Sequence, residues 1–276
     1  MNSMETIKNT QVKSGATLGY VDIGVGIPIV LIHGLFLDHT AFVEQINTFK
    51  NSHRIIAIDI HGHGISSVLD RPITLDEMAA DYFDLVQKLG IKQAIWAGVS
   101  LGGMTSLRIA IRHPEAVLGL LLLNTNADRG AGKKVPSVDG LNAPLTMRFL
   151  WHTKFLKQKV LEAGLFGQTT LATHPELTQH WVDRMQPIQS ISMKHAVEAV
   201  LSTESILDLL PAIDVPTIIA AGKEDTALPI VASQQINQRI KDSKLVEIEK
   251  CGHSSSIEQP EIVSQLLSEL IEQAKI

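Results

Sequence analysis

The apolar positions of this chain fall into short continuous runs separated by stretches with helical periodicity. Four runs are rich in β-branched residues and too short for helices, so they predict buried strands. These runs occupy residues 28–32, 54–60, 91–97 and 116–123. Before the third run, Thr74 and Glu77 form a capping-box pattern ahead of an amphipathic stretch that stops at Gly90. Strands that alternate with helices in this way predict right-handed βαβ units, and hence a mostly parallel sheet covered by helices on both faces.

The pattern changes on either side of this region. Weak alternation over residues 6–20, broken at Ser14-Gly15, predicts an opening hairpin, whereas residues 128–204 contain helical stretches and no strand-like run. Three helices are expected there, at 145–162, 175–185 and 192–201. Strand-like runs return at 216–221 and 244–248, with helices opening at Pro229 and Pro260. The chain is therefore expected to divide into a core (1–126), a helical cap (127–204) and the second part of the core (205–276).

Composition and charge narrow the functional classes. The chain has 276 residues, of which 45% are hydrophobic and 19% charged, as in an ordinary globular protein. A net charge of −5 leaves no basic footprint, so nucleic acid is not expected as a partner. The single cysteine, Cys251, excludes an internal disulfide framework. No signal-peptide pattern is visible, and the longest apolar run, residues 116–123, is too short for a bilayer, so we expect a cytoplasmic protein with no membrane partner.

One stretch carries a specific catalytic pattern. Gly98-Val99-Ser100-Leu101-Gly102 lies between the strand predicted at 91–97 and an amphipathic stretch that begins near Met104. This G-x-S-x-G spacing in a strand–turn–helix context is typical of a nucleophile elbow, in which a tight turn projects the serine hydroxyl above the sheet. Ser100 is therefore the predicted nucleophile.

A serine nucleophile needs a base and an acid, which in this order of elements follow late strands. His253, next to Gly252 and after the run at 244–248, is the predicted base among the 11 histidines of the chain. Asp225, after the run at 216–221, is the predicted acid. The neighbouring Glu224 stays open as an alternative, as does Asp128 in the loop after the run at 116–123.

Two backbone N–H groups are expected to form the oxyanion hole. Leu101 supplies one at the start of the elbow helix, and Leu35 in the His33-Gly34-Leu35 turn supplies the other, with Phe36 as the alternative donor. A histidine that closes a buried strand usually bonds the backbone, so His33 is expected to be structural. His61 and His63 have a spacing too weak for a metal site in a glycine turn, and no metal is predicted.

With these motifs in place, the chain resembles α/β-hydrolase-fold serine hydrolases, especially small bacterial carboxylesterases and 3-oxoadipate enol-lactonase-like enzymes. The resemblance rests on residues 98–104, Asn124-Thr125 and Gly252-His253-Ser254-Ser255 with Glu258-Gln259-Pro260. It implies an α/β-hydrolase fold with an eight-stranded, mostly parallel sheet and a helical cap inserted after the sixth strand. One departure is His61, where such relatives typically carry an arginine.

These features predict a Ser100–His253–Asp225 triad that cleaves carboxylic esters or lactones through an acyl-enzyme without a cofactor. The expected partner is a small ester or lactone with a short-to-medium acyl group, bound by Phe36, Trp151 and Trp181 in an apolar pocket. Arg148 and Arg184 are expected to be solvated rather than to bind an anionic substrate. Carbon–carbon bond hydrolases, perhydrolases and enol-lactonases could use the same triad, and a ligand-binding receptor is the alternative from another class. The sequence does not fix an oligomeric state.

Overall fold

The structure, a computed structural model, describes residues 7–129, 153, 155, 158–159, 161–185 and 187–274. In these residues eight strands form one sheet with the order β1-β2-β4-β3-β5-β6-β7-β8. The strands are β1 (Ile7–Gln11), β2 (Thr17–Ile23), β3 (Pro28–Ile32), β4 (Arg54–Ile58), β5 (Ala94–Val99), β6 (Val117–Leu123), β7 (Thr217–Gly222) and β8 (Ser243–Ile248). Pairing is antiparallel from β1 to β2 and from β2 to β4, and parallel throughout the rest of the sheet. The predicted fold class, opening hairpin and parallel sheet are confirmed.

β3 has its predicted bounds, and the boundaries of the other predicted parallel strands differ from the predictions by at most three residues. β5 begins at Ala94 rather than at residue 91, because the Ile91 N–H bonds Val86 O at the end of the preceding helix. β4 stops at Ile58, before the expected end at residue 60, because the chain turns at Asp59 into a glycine loop. Every residue of β5 is buried, as expected of a central parallel strand.

The helices lie on both faces of the sheet. The core helices are α1 (Val43–Phe49), α2 (Leu75–Lys88), α3 (Leu101–Arg112), α7 (Val231–Asn237), α8 (Ser255–Glu258) and α9 (Pro260–Gln273), with short 3₁₀ turns at His39–Phe42, Pro114–Ala116 and Leu207–Ala212. Apolar residues of α1 and α9 pack with one face of the sheet, and those of α2, α3 and α7 with the other. Each fully buried Leu or Val contributes about 1.5–3 kcal/mol relative to its exposed state.

Sequence signals account for the limits of α2. Thr74 Oγ1 accepts from the Glu77 N–H, and Glu77 accepts from the Thr74 N–H, so the predicted capping box is confirmed. Gly90, with a φ of 74°, follows the end of the helix in the left-handed conformation that ends helices.

Residues 161–204 are largely helical and are called the helical segment below. A π turn at Leu161–Leu165 precedes α4 (Gln168–Thr173), α5 (Pro175–Arg184) and α6 (Ser190–Leu201). The helices expected at 175–185 and 192–201 are confirmed, whereas most of the one expected at 145–162 lies outside the described residues. The division of the chain into core and cap stays a prediction.

The two ends of the region predicted as a cap meet at the core. The Ile206 N–H bonds Ala127 O, and Arg129 forms an ion pair with Glu204. In the part of the chain that the structure describes, no helix is long and apolar enough to cross a membrane.

Candidate active site

Ser100 occupies a strained turn between β5 and α3. Its φ of 52° and ψ of −114° are conformations that L-residues rarely adopt, and such strain persists only where the surroundings hold it. A Cβ on Gly98 would lie 2.2 Å from the carbonyl carbon of Gly102, so a side chain there would collide with the first turn of α3. The elbow predicted from the G-x-S-x-G spacing is therefore the conformation the chain adopts.

The backbone around Ser100 is fixed by its neighbours. The Ser100 N–H bonds Leu123 O at the end of β6, and Thr125 Oγ1 donates to Ser100 O at 2.7 Å. A Cβ on Gly34 would lie only 3.1 Å from Ser100 Cβ, so the loop after β3 runs directly against the serine. Ser100 is 8% exposed, which leaves its side chain close to the surface of this cluster of loops.

The structure brings Asp225 and His253 into direct contact. Asp225 Oδ2 lies 2.8 Å from His253 Nδ1, and because a carboxylate only accepts, Nδ1 carries the proton and leaves Nε2 with its lone pair. Within the described residues no hydrogen bond joins Ser100 Oγ to His253, and such contacts are often long before substrate binds. The catalytic roles of all three residues stay predictions.

The two alternative acids have other partners. Glu224 accepts from the Thr169 N–H at 2.8 Å and from Thr169 Oγ1 at 2.5 Å, both in the helical segment. Asp128 Oδ1 accepts from the Arg129 N–H. Among the three candidates the structure therefore pairs only Asp225 with His253.

Asn124 completes the surroundings of Asp225 and was not singled out from the sequence as a site residue. Its Nδ2 donates to Asp225 Oδ2 at 3.0 Å and to Gly252 O at 2.9 Å, so it links the acid to the loop that carries His253. The other carboxylate oxygen, Oδ1, accepts the N–H groups of Ala227 and Leu228, each at 2.9 Å. Four donors thus fix the Asp225 side chain, which is completely buried.

These contacts set the proton affinity of His253. Burial alone would lower the pKa of the imidazole, but the charge and hydrogen bond of Asp225, with a further contribution from Glu258, raise the pKa of His253 above its ordinary value of 6.5. His253 is 6% exposed and so keeps little solvent around its free nitrogen. A buried imidazole with raised basicity is suited to take a proton from a hydroxyl group.

The loop that contains the predicted oxyanion donor is held by His63. The Phe36 N–H donates to His63 Nε2 at 3.2 Å, whereas no hydrogen bond in the described residues takes up the Leu35 N–H. Leu101, at the first position of α3, likewise presents a backbone N–H without an intrahelical partner. This arrangement favours Leu35 over Phe36 as the second donor, although the oxyanion hole itself stays a prediction.

His63 is held in its neutral form. Complete burial, with a contribution from His33, lowers the pKa of His63 to about 3. Its Nδ1 lies 3.0 Å from His61 O, so the proton sits on Nδ1 and Nε2 can accept from Phe36. Phe36 adopts a φ of 71°, which is unusual for a bulky residue and which the His63 contact helps to maintain.

His33 and His61 both have hydrogen-bond partners within the core. His33 is fully buried, with Nδ1 bonded to Gly34 O and Nε2 to the Ile60 N–H, as expected of a histidine that closes a strand. His61 does not point with His63 toward a common site, because its Nε2 lies 2.9 Å from Asp81 Oδ2. Among the residues described, no group of three or more His, Cys, Asp or Glu side chains could hold a metal ion.

Arg184 is partly solvated, with 36% of its side chain exposed, but it is not a free cation. Its Nε lies 2.7 Å from Asp38 Oδ2, and the two side chains form an ion pair between α5 and the loop after β3. Asp38 also caps the following 3₁₀ turn through the Thr40 N–H, which brings its carboxylate to the surface that meets α5. Arg184 is therefore neutralised by the core, and Arg148 lies outside the described residues.

Two of the three predicted substrate-binding residues lie in the described part of the chain. Phe36 and Trp181 are buried in one apolar cluster that also contains residues of α5 and α6. Trp181 in addition lines a groove of about 630 Å³ with Thr40, Leu177 and Ile257. Trp151 lies outside the described residues, and the substrate-binding roles stay predictions.

A serine elbow on a mostly parallel sheet, with a histidine and a carboxylate after later strands, defines the class of α/β-fold hydrolases. The chain belongs to the alpha/beta hydrolase fold family, whose profile matches residues 27–260. It is 32% identical over 258 residues to the AB hydrolase superfamily protein YisY of Bacillus subtilis, covering 92% of this chain and 94% of that protein. It is 26% identical over 252 residues to 3-oxoadipate enol-lactonase 1 of Acinetobacter baylyi, covering 87% of this chain and 86% of that protein.

Solved structures show the same fold. A thermophilic esterase from Thermogutta terrifontis superposes with a TM-score of 0.84 at 24% identity, covering 98% of this chain and 99% of the esterase chain. The enol-lactonase from Burkholderia xenovorans superposes with a TM-score of 0.85 at 23% identity, covering 96% of this chain and 100% of that chain. The predicted resemblance to esterases and enol-lactonases is confirmed at the level of the family.

Proposed function

We propose that this protein is a serine hydrolase that cleaves uncharged carboxylic esters or lactones with short-to-medium acyl groups. The observation that carries the proposal is the 2.8 Å contact between His253 Nδ1 and Asp225 Oδ2. The two residues lie on the loops that follow β8 and β7, in the same parallel part of the sheet as β5, the strand before Ser100. A receptor needs a pocket but not a buried, basic imidazole oriented by a carboxylate.

In the first step His253 Nε2 takes the proton of Ser100 Oγ as Oγ bonds to the carbonyl carbon of the ester. The negative charge moves to the carbonyl oxygen, where the N–H groups of Leu35 and Leu101 stabilise it. The carbon–oxygen bond to the alcohol then breaks, and the alcohol leaves with the proton held by His253. The product is an acyl group on Ser100.

In the second step water replaces the alcohol. His253 Nε2 takes a proton from water as its oxygen attacks the acyl carbon, and the same proton returns to Ser100 Oγ as the carboxylic acid departs. Asp225 keeps its charge throughout and stabilises the imidazolium of each step. The sequence of steps requires no metal or organic cofactor.

The substrate class follows from what surrounds the elbow. Phe36, next to the predicted oxyanion donor, packs with apolar residues of the helical segment, including Trp181 and Met193. Arg184, the cation of α5, is already paired with Asp38, so its charge is compensated before any substrate binds. Burying an anionic substrate without a partner costs several kcal/mol, so an uncharged acyl group is favoured.

A kinetic panel tests this proposal. Nitrophenyl esters with acyl chains from two to sixteen carbons, several uncharged lactones and one anionic lactone are compared by kcat/KM, with Ser100→Ala as the control for each substrate. We expect the highest values on short-to-medium esters or uncharged lactones. Highest values on the longest chains or on the anionic lactone would contradict the substrate class. No Ser100-dependent hydrolysis of any substrate would favour the receptor.

A further inference from the structure

Glu258 lies at the end of α8, five residues after His253, and its two carboxylate oxygens have separate partners. Oε1 accepts the Gly252 N–H at 3.0 Å and the Ser254 N–H at 3.1 Å. These two amides flank His253 on either side. The carboxylate therefore fixes the backbone from which the imidazole projects.

The other oxygen of Glu258 reaches the helical segment. Oε2 accepts the Gly167 N–H at 2.8 Å and the Thr170 hydroxyl at 2.7 Å, at the beginning of α4. The two backbones also pack directly, since a Cβ on Gly252 would lie 2.1 Å from Gly167 N. One side chain thus joins the loop of the predicted base to the helical segment.

Glu224 makes a parallel contact that lacks the connection to His253. Its carboxylate accepts from the N–H and the hydroxyl of Thr169, one residue before Thr170, and neither donor belongs to the 252–254 loop. Glu224 and Glu258 therefore dock the same end of α4, and only Glu258 also bonds the amides beside the imidazole. This difference supplies a matched control.

The carboxylates near the His253 loop also interact with it electrostatically. Glu258 adds to the effect of Asp225 in raising the pKa of His253. Burial raises the pKa of Cys251, and the charges of Glu258, Asp225 and Glu224 raise it further, so all three carboxylates act on this loop. Burial also raises the pKa of Glu258 itself, against the effect of its four donors. These are the titratable groups that face the loop in the described structure.

We propose that Glu258 is a positioning residue for His253, which orients the base through Oε1 and docks the helical segment over the site through Oε2. The expected effect on turnover rests on the proposed function, whereas the expected effect of Glu258 on the titration of His253 does not. All four partners of the Glu258 side chain are donors, so a carboxylate satisfies them and a neutral amide cannot.

Two substitutions distinguish the effect of Glu258 on the His253 loop from its effect on the helical segment. Glu258→Gln keeps the shape but removes the charge and directs an NH₂ group at two donors. Thr170→Val removes one hydroxyl on the segment side and leaves both loop contacts. The titration of His253 is followed by the low-field proton resonance of its Nδ1–H without substrate, and kcat and KM are measured on the preferred ester.

In Glu258→Gln we expect the His253 titration midpoint to fall below that of the wild type, because a nearby negative charge that favours the imidazolium is lost. We expect kcat to fall about tenfold or more, because the base is less firmly oriented. In Thr170→Val and in Glu224→Gln we expect an altered KM with the wild-type midpoint. A Glu258→Gln protein with wild-type midpoint and kcat would overturn the proposal, whatever its Tm.

If Glu258→Gln does not fold, Glu258→Asp provides the test. The shorter carboxylate keeps the charge but cannot span both sets of partners, so we expect the wild-type midpoint with a reduced kcat, and an unchanged kcat would overturn the proposal. If the wild type hydrolyses nothing in the panel, the proposed function fails, but the titration still decides whether Glu258 acts on His253.

Discussion

Asp225→Asn tests the predicted triad most directly, because the hydrogen bonds of Asp225 dictate how the new amide must lie. Oδ1 accepts the N–H groups of Ala227 and Leu228, which cannot accept a hydrogen bond in return. The carbonyl oxygen of the amide must therefore keep that position. Its NH₂ group is forced into the place of Oδ2, opposite Asn124 Nδ2 and His253 Nδ1.

This orientation of the amide reverses the tautomer of the His253 imidazole. With an NH₂ donor in place of Oδ2, His253 is most stable with the lone pair on Nδ1 and the proton on Nε2, so it cannot accept the Ser100 proton. The same change in a serine protease triad reduces kcat by about 10⁴, which corresponds to about 5.4 kcal/mol in the barrier. A donor that faces the Asn124 amide also costs about 1–3 kcal/mol of stability.

The assay is kcat on a short nitrophenyl ester, together with a thermal melt to separate lost chemistry from lost folding. Asp128→Asn is the matched control, since Asp128 bonds a neighbouring backbone N–H and should leave kcat within about twofold of wild type. If Asp225→Asn keeps more than about a tenth of wild-type kcat, the tautomer argument is wrong. A large loss in Asp128→Asn instead would move the acid to the loop after β6.

Four further outcomes are expected. Ser100→Ala should remove ester hydrolysis by several orders of magnitude with an unchanged melt, and a fluorophosphonate should label Ser100 in the wild type; labelling elsewhere would contradict the nucleophile. Because only neutral His253 accepts a proton and its pKa is raised, kcat/KM should increase with pH through a midpoint above 6.5, and a midpoint below 6.5 would contradict the Asp225 contact. His63→Leu removes the His63 acceptor of the Phe36 N–H and should cost about 1–3 kcal/mol of stability and lower kcat. His63→Gln offers a new acceptor and should restore part of the stability and part of kcat. If the Leu and Gln variants lose the same stability and the same kcat, the acceptor is unimportant. EDTA should leave activity unchanged, since no step uses a metal, and a loss reversed by added metal would contradict that mechanism.

The sequence was informative wherever local pattern and buried environment coincide. Parallel strands buried on both faces require continuous apolar runs, so β3 was predicted at its observed bounds and the neighbouring strands nearly so. The elbow could be predicted because its conformation demands glycines at fixed offsets from Ser100. The order of elements then limited the positions of Asp225 and His253.

Contacts between distant loops were beyond this reasoning. Asn124 and Glu258 act through amides and side chains that only the folded chain brings near them, and nothing in their local sequence indicates those partners. Arg184 is a similar case. Its place on an amphipathic helix predicted a solvated cation, and its side chain is indeed 36% exposed. Its partner could not be predicted, because the carboxylate of Asp38 belongs to a loop 146 residues earlier in the chain.

The meeting of Ala127 with Ile206 has a consequence for how such a chain can change in evolution or in the laboratory. One hydrogen bond holds the two attachment points together, so their separation at the core does not depend on the length of chain between them. The entropic cost of a longer or shorter connection grows only slowly with length. Any sequence that replaces the region between these points must therefore offer donors to the carboxylates of Glu224 and Glu258, a cation to Asp38 and apolar side chains to Phe36.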